Sequence, residues 1–315
     1  NLLVLIIDTN PIVWRKSNFS LKEALRHILV FINAHLALKH DNDVAIIASH
    51  VGVSKFLYPI PMTHENSDKT IFPNMYQKFR VIDEKVIANM SALFEDVDTP
   101  NNHPDKASSM IAGALSMALC YINRITKADE IGHVKSRILI ISVSPDSPYQ
   151  YISIMNCIFS AQKLCIPIDV CKVYGSDTPV FLQQASHITG GKYLKLDMPQ
   201  GLLQFLMIAF LPDRYNKKYL CLPGEERVDF GAACFCHKKI IDVGYVCSVC
   251  LSIFCRPLDE CSTCRYFLKF IYRYLQIFSY LRYLEVFFFN FFKNEVDVDI
   301  SQTKWADHLR PDAIA

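Results

Sequence analysis

The stretch Leu2-Leu-Val-Leu-Ile-Ile-Asp8-Thr-Asn10-Pro11 decides the fold. Six apolar residues run without alternation into a carboxylate, and an Asn-Pro pair follows at once. Continuous hydrophobicity is the mark of a strand buried on both faces. An acid at the carboxyl end of such a strand stands where open α/β sheets place their ligand sites. Further short apolar runs lie outward from it, at residues 44–49, 55–58, 137–143, 166–173 and 192–196.

Helical segments separate these runs. Ser20-Leu-Lys-Glu23 has the capping-box form, and Leu21, Leu25, Ile28, Ile32 and Leu36 follow as one apolar stripe. Met110, Ile111, Ala114, Leu115, Ala118, Leu119 and Ile122 make a wider stripe; Tyr151, Met155, Ile158 and Phe159 make a third. Residues 180–188 end at Gly190-Gly191, a natural helix stop, and residues 202–210 end before Pro212. This order predicts an α/β domain over residues 1–212, with a mostly parallel sheet covered by helices on both faces. Runs 44–49 and 55–58 are too close for a crossover helix, so they are expected to form an antiparallel hairpin at a sheet edge. Residues 59–79 and 100–104 read as loops. Residues 213–230, with Pro223-Gly224, read as a linker.

The chain has 315 residues, 51% of them hydrophobic, enough for one large domain and a small one. A net charge of +2 gives no electrostatic case for nucleic acid or an anionic membrane as the main partner. The basic pairs Lys217-Lys218 and Lys238-Lys239 read as solvated surface, so any DNA contact is expected to be weak or indirect. Residues 2–7 are too short an apolar run for a secretory signal and no basic segment precedes them. The chain opens at Asn1 rather than methionine, so a few preceding residues are expected to be missing.

Cysteine usage is the second strong signal. Of twelve cysteines, seven fall within residues 234–264, which become a cysteine-rich module at 231–265. Cys120, Cys157, Cys165 and Cys171 stand singly in apolar surroundings and read as small core residues. A reducing compartment with metal-bound thiolates suits the cluster better than a disulfide framework. Cys247, Cys250, Cys261 and Cys264 form two Cys-x-x-Cys knuckles, four soft donors suited to tetrahedral zinc with Zn–S near ~2.3 Å. Cys234, Cys236, His237 and Cys255 offer a second set, three sulfurs and one nitrogen. The two sets would interleave in cross-brace order, giving one or two structural zinc ions. His237 has a rival reading as a surface histidine, because adjacent Cys236 and His237 cannot both ligate without strain. A closed four-donor site leaves no position for water and argues for structure rather than metal catalysis.

Residues 266–292 hold thirteen aromatics in twenty-seven positions, and residues 293–315 are polar. Charges at Lys269, Arg273, Arg282 and Glu285 interrupt the aromatic run before it reaches the roughly 18 residues a spanning helix needs. A helix packed on a partner and non-coding sequence carried past Cys264 are the other readings, and the last is preferred.

The first strand and its acid resemble a von Willebrand A domain, in which Asp-x-Ser-x-Ser holds magnesium. Here the acid is Asp8, the first serine position is Asn10 and the second is Ile12, which cannot coordinate a cation. The nearest matches to the remaining ligands are Ser108 or Ser109, and Asp146. The reading preferred for Asp8 and Asn10 is hydrogen bonding of the loops above the sheet.

Taken together, several segments resemble a more specific family. They are Asn1-Leu-Leu-Val with Asp8-x-Asn10-Pro11, Ile47-Ala-Ser-His50 with Phe56-Leu-Tyr-Pro59, and Lys135-Ser-Arg-Ile-Leu139. Leu182-Gln-Gln-Ala185, Ala232-Ala-Cys-Phe-Cys-His237 and Gly244-Tyr-Val-Cys-Ser-Val-Cys-Leu-Ser-Ile-Phe-Cys255 complete the match. The family is that of the smaller von Willebrand A and zinc-finger subunits of the TFIIH core. The resemblance implies a nuclear, non-catalytic scaffold for transcription and nucleotide excision repair. It implies partners among the other core subunits, chiefly the second von Willebrand A and zinc-finger subunit, and neither a membrane nor a small-molecule substrate. Two alternatives stay open: a RING-type ubiquitin ligase, suggested by interleaved zinc sites, and a metal-dependent von Willebrand A binding domain.

Overall fold

The computed structural model describes residues 1–59 except 18, 77–97, 108–128, 134–175, and 180–220 except 197 and 214. It also describes parts of 232–262 and residues 275–276. The chain divides into two compact units, Asn1–Asp229 and Phe230–Ala315.

The first unit is built on a six-stranded sheet. Its strands are β1 (Leu2–Asp8), β2 (Asp43–Ser49), β3 (Ser54–Tyr58), β4 (Ser136–Ser142), β5 (Ile168–Lys172) and β6 (Tyr193–Lys195), in the order β3-β2-β1-β4-β5-β6. All neighbours pair in parallel except β2 and β3, which form the expected antiparallel hairpin at one edge. β1 lies between β2 and β4, and all seven of its residues are buried. That position is why its sequence does not alternate.

Helices cover both faces. α1 is Pro11–Lys16, α2 Leu21–Leu38, α3 Gln77–Val97, α4 Ile111–Ala128, α5 Tyr151–Lys163, α6 Val180–Thr189 and α7 Leu202–Phe205, the last continuing as a π-turn over Leu206–Phe210. On one face Leu3, Leu5 and Ile7 share a core with Ile28, Phe31 and Ile32 of α2, Ile82 and Val86 of α3, and Phe210. On the other, α4 packs on β1 and β2, α5 on α4 and α6, and α6 on β5. The α2 cap forms as the sequence predicts, with the Glu23 N–H donating to Ser20 Oγ at 3.2 Å. Gly190 ends α6 at φ 69°, a conformation that L side chains rarely adopt. This is the mostly parallel sheet covered by helices on both faces that the sequence predicts.

Several local expectations need correction. α3 begins at Gln77, so residues 77–79 are helical and not loop; its stripe of Ile82, Val86, Met90 and Leu93 is buried. Cys157 and Cys171 are core residues, but Cys120 and Cys165 are exposed. The core face of α4 is filled by Leu115, Ala118, Leu119 and Ile122, which turns Cys120 outward. Cys165 holds φ 54° in the turn after α5. Residues 213–220, read as the start of a linker, instead lie on the first unit: Lys217 Nζ donates to Asp169 Oδ2 at 3.0 Å and stands over the Phe210 ring.

The second unit shows short strands. β7 (Ala232–Ala233) pairs with β8 (Ile240–Ile241), and β9 (Val243–Val246) lies between β10 (Ile253–Phe254) and β11 (Leu275–Gln276). The readings of residues 266–315 otherwise fall outside the described residues. Among the described residues no helix is long and apolar enough to cross a membrane.

Candidate functional site

The carboxyl ends of β1 and β4 form a sheet top whose polar groups bond one another. After Asp8 the chain must turn from strand to helix. Asn10 caps α1, accepting the Ile12 N–H at 3.1 Å, and Pro11 occupies the first turn, where a missing N–H costs nothing. Asp8 Oδ2 accepts the backbone N–H groups of Val143 at 3.1 Å and Ser144 at 2.7 Å; Asp8 Oδ1 accepts that of Asn10 at 3.2 Å. Asn10 Nδ2 donates to Ser144 Oγ at 3.2 Å. Both oxygens of Asp8 are therefore taken, as the hydrogen-bonding reading predicts.

The other positions matched to metal ligands are engaged elsewhere. Ser109 Oγ bonds Ser49 Oγ at 2.7 Å and the Ser49 carbonyl at 3.0 Å. Asp146 Oδ2 accepts the Phe181 N–H at 2.7 Å. Burial pushes the Asp146 carboxyl up to about 6, against the pull of that bond and of the Lys172 charge. Trp14 is a loop anchor: it is buried and its Nε1–H donates to the Asp8 carbonyl at 2.8 Å.

Lys172 is the residue that sequence reasoning missed. It is 1% exposed, and its ammonium donates to the carbonyls of Val143 at 2.9 Å and Ser144 at 2.5 Å. The same two residues bind Asp8 through their N–H groups. A buried cation thus sits one peptide away from the β1 carboxylate and faces Asp146. Its signal in the sequence is a lysine inside the apolar run 166–173, a position that buries a charge only when it is paired.

In the second unit, Cys234, Cys236, His237 and Cys255 place their donor atoms within 4.8 Å of one another. Cys234 and Cys236 follow strand β7, and Cys255 follows β10, so two strand ends deliver the donors to one place. Cys234 Sγ lies 2.8 Å from Cys236 Sγ, and Cys236 Sγ lies 3.5 Å from Cys255 Sγ. His237 Nδ1 is 3.2 Å from both Cys236 Sγ and Cys255 Sγ, so the donor atoms of the adjacent residues Cys236 and His237 both lie beside Cys255. Two sulfurs around one zinc stand roughly 3.8 Å apart by tetrahedral geometry. The Cys236–Cys255 pair is near that distance, and the Cys234–Cys236 pair must open by about 1 Å to reach it.

Electrostatics in the cluster favour a cation. Burial alone would push the Cys234 thiol up, but bonds from Cys236 and from the N–H groups of His237, Cys236 and Cys255 bring it down to about 6. Its bond to Cys236 and the neighbouring sulfur charges push Cys255 up to about 11. One thiolate is held at Cys234 while Cys255 resists losing its proton, a crowding that a dication relieves. Three sulfurs and one imidazole match zinc in softness and number. Of the other expected set, Cys261 is buried, and Cys247, Cys250 and Cys264 lie outside the described residues.

Comparison with known proteins decides the family. A sequence model described as "Transcription factor Tfb4" matches residues 1–265, covering the sheet unit and the cysteine segment together. The chain belongs to the Tfb4 family. It is similar to the general transcription and DNA repair factor IIH subunit tfb4 of Schizosaccharomyces pombe, 46% identical over 269 residues, spanning 84% of this chain and 87% of the relative. The subunit TFB4 of Arabidopsis thaliana is 41% identical over 268 residues, again 84% of this chain and 87% of the relative. A crystal structure of the TFIIH p34 N-terminal domain matches at TM-score 0.57 and 38% identity, covering 66% of this chain and 97% of that one. The Tfb4 match stops where the aromatic tail begins.

Proposed function

We propose that this chain is a non-catalytic structural subunit of the general transcription and DNA repair factor IIH. It works in the nucleus, in transcription initiation and nucleotide excision repair, where the core of that factor holds DNA helicases. Its chief partner is the second von Willebrand A and zinc-finger subunit of the core. The observation that carries this reading is the family match over residues 1–265, which runs through the first unit and into the cysteine segment of the second. The sheet top supports it, because Asp8, Asn10, Ser49 and Ser109 are bonded to one another and to backbone rather than arranged as nucleophile and base.

Zinc is structural in this reading. Cys234, Cys236, His237 and Cys255 would hold one ion, and Cys247, Cys250, Cys261 and Cys264 a second. Bound there, zinc supplies folding free energy to a short segment with little core of its own, on the order of 10 kcal/mol.

Co-expression with the second subunit, purified through a tag on that partner, tests the assignment. A one-to-one complex stable through gel filtration is expected, and a chain that elutes alone overturns the choice of partner. Ubiquitin discharge from a charged conjugating enzyme should be absent. Discharge that disappears in Cys255→Ser would make the chain a ligase instead.

A further inference from the structure

The amino ends of the strands carry a second feature, remote from the sheet top. A cleft of about 730 Å³ opens there, lined by residues of α2, α4, β4 and β5 and of the segment after α7. That volume is in the range of small-ligand and peptide sites. Three observations show that it is a polar site with partners wanting, and not a packing gap.

First, two polar side chains that line it are short of hydrogen bonds. Among the described residues the buried Ser136 Oγ has no partner, and His35, which is 4% exposed, makes no well-formed hydrogen bond, the Asp43 backbone being the polar group beside its ring. Buried polar groups in folded proteins are nearly always satisfied, so such a pair in one cleft calls for a ligand group. Second, Arg137 lines the same cleft and uses few of its donors. Its Nη1–H donates to the Phe210 carbonyl at 2.6 Å, and among the described residues no other hydrogen bond is made by its five N–H groups. Third, the lining is unbalanced in charge. Lys39, Lys135, Arg137, Lys192 and Lys217 stand against Asp169 and Asp213, five cations to two carboxylates, an excess of three. Asp169 is already spent on Lys217 Nζ at 3.0 Å and on the Lys192 N–H at 2.9 Å.

The rim has a different character. Leu38 and Leu164 line the cleft and are 56% and 48% exposed. Ile122 and Leu211 add apolar wall between them. A recess with the Arg137 guanidinium inside it, lysines around it and exposed leucines at its mouth complements a chain that carries carboxylates beside apolar side chains. Duplex DNA does not suit it, since its phosphates lie on a broad convex surface and offer nothing to the leucines.

The geometry points to a docking site for an acidic, apolar peptide segment of a partner protein, with a carboxylate seated between Arg137, Ser136 and His35. Arg137 is the residue best made for that contact, because its planar fork pairs a carboxylate through two parallel bonds. The inference rests on this cleft alone and is independent of zinc.

Fluorescence anisotropy on the full chain tests it, with a labelled ten-residue peptide alternating Glu with Leu and Phe as the probe. Its Gln counterpart is the charge control. The variants are Lys135→Glu and Leu164→Asp, both at exposed positions where folding is insensitive. Saturable binding is expected, weakened tenfold or more by either variant, by the Gln peptide, and by raising salt from 50 to 500 mM. No binding of the Glu peptide up to millimolar concentration overturns the proposal. Binding that both variants leave unchanged overturns the location. Equal binding of the Gln peptide overturns the role of the carboxylate. A DNA duplex that binds with the same dependence on both variants, where the peptide does not, would replace the peptide by nucleic acid and overturn the stated occupant.

Discussion

Replacing Lys172 by methionine should cost the first unit about 3–4 kcal/mol. Methionine keeps most of the apolar stem and removes only the ammonium. The loss comprises two charge-assisted hydrogen bonds, to the carbonyls of Val143 and Ser144, each worth roughly 1.5–3 kcal/mol. Relief from burying an ammonium offsets part of it. Removing one partner of a buried charge network still costs about 3–5 kcal/mol, because the groups left behind remain desolvated. Those groups are two carbonyls whose own N–H groups hold Asp8, together with the Asp146 carboxyl. In a unit of this size, each kcal/mol lowers Tm by about 2–4 °C, so a fall near 10 °C is expected. Urea unfolding followed by tryptophan fluorescence in a Trp305→Phe background is the assay, since Trp14 bonds the Asp8 carbonyl and reports on the same loop. The cost should shrink when Asp146→Asn is made in the same chain, because the two share one field. A loss under about 1 kcal/mol, or a gain, would show that the ammonium's desolvation outweighs its bonds and would refute the reasoning.

Other expectations follow from single features. Elemental analysis should give one to two zinc per chain, and Cys255→Ser should lower it by one; a zinc-free, monodisperse sample would remove the metal from this account. Burial, reinforced by Arg137, brings His35 down to about 4 from an ordinary 6.5, so the folded state keeps it neutral. Its contribution is then full above pH 6.5 and is lost as pH falls toward 4, by about 3 kcal/mol. Because Asp146 slopes the opposite way, the test compares wild type with His35→Leu, whose stability should lack that acid loss. Gly191→Ala should destabilise by about 3 kcal/mol or more, since a Cβ there would stand 2.0 Å from the Ile168 carbonyl oxygen, and an unchanged urea midpoint would contradict that packing. Ser20→Ala should cost about 1 kcal/mol by removing the α2 cap.

How far these features were legible without coordinates varies with their range in the chain. Residues 2–7 announce a central buried strand because burial on both faces leaves no polar position in the run before Asp8, and Ser20 with Glu23 announces a helix start because the cap is completed within four residues. The short spacing of 44–49 and 55–58 likewise permits little but a hairpin. The cysteine spacing marks a candidate metal-binding segment because thiols so close together have few other uses, and the structure gathers Cys234, Cys236, His237 and Cys255 into a group that could hold an ion. Tertiary structure alone decided where side chains without a repeating pattern end up. Cys120 and Cys157 are both cysteines in apolar helices, yet one faces solvent and the other the core, since a helix face is chosen by its neighbours. Lys172 bonds carbonyls twenty-eight and twenty-nine residues earlier, and His35, Ser136 and Arg137 meet at one cleft from two distant elements. Such meetings depend on strand order and crossover path, which local sequence periodicity does not encode.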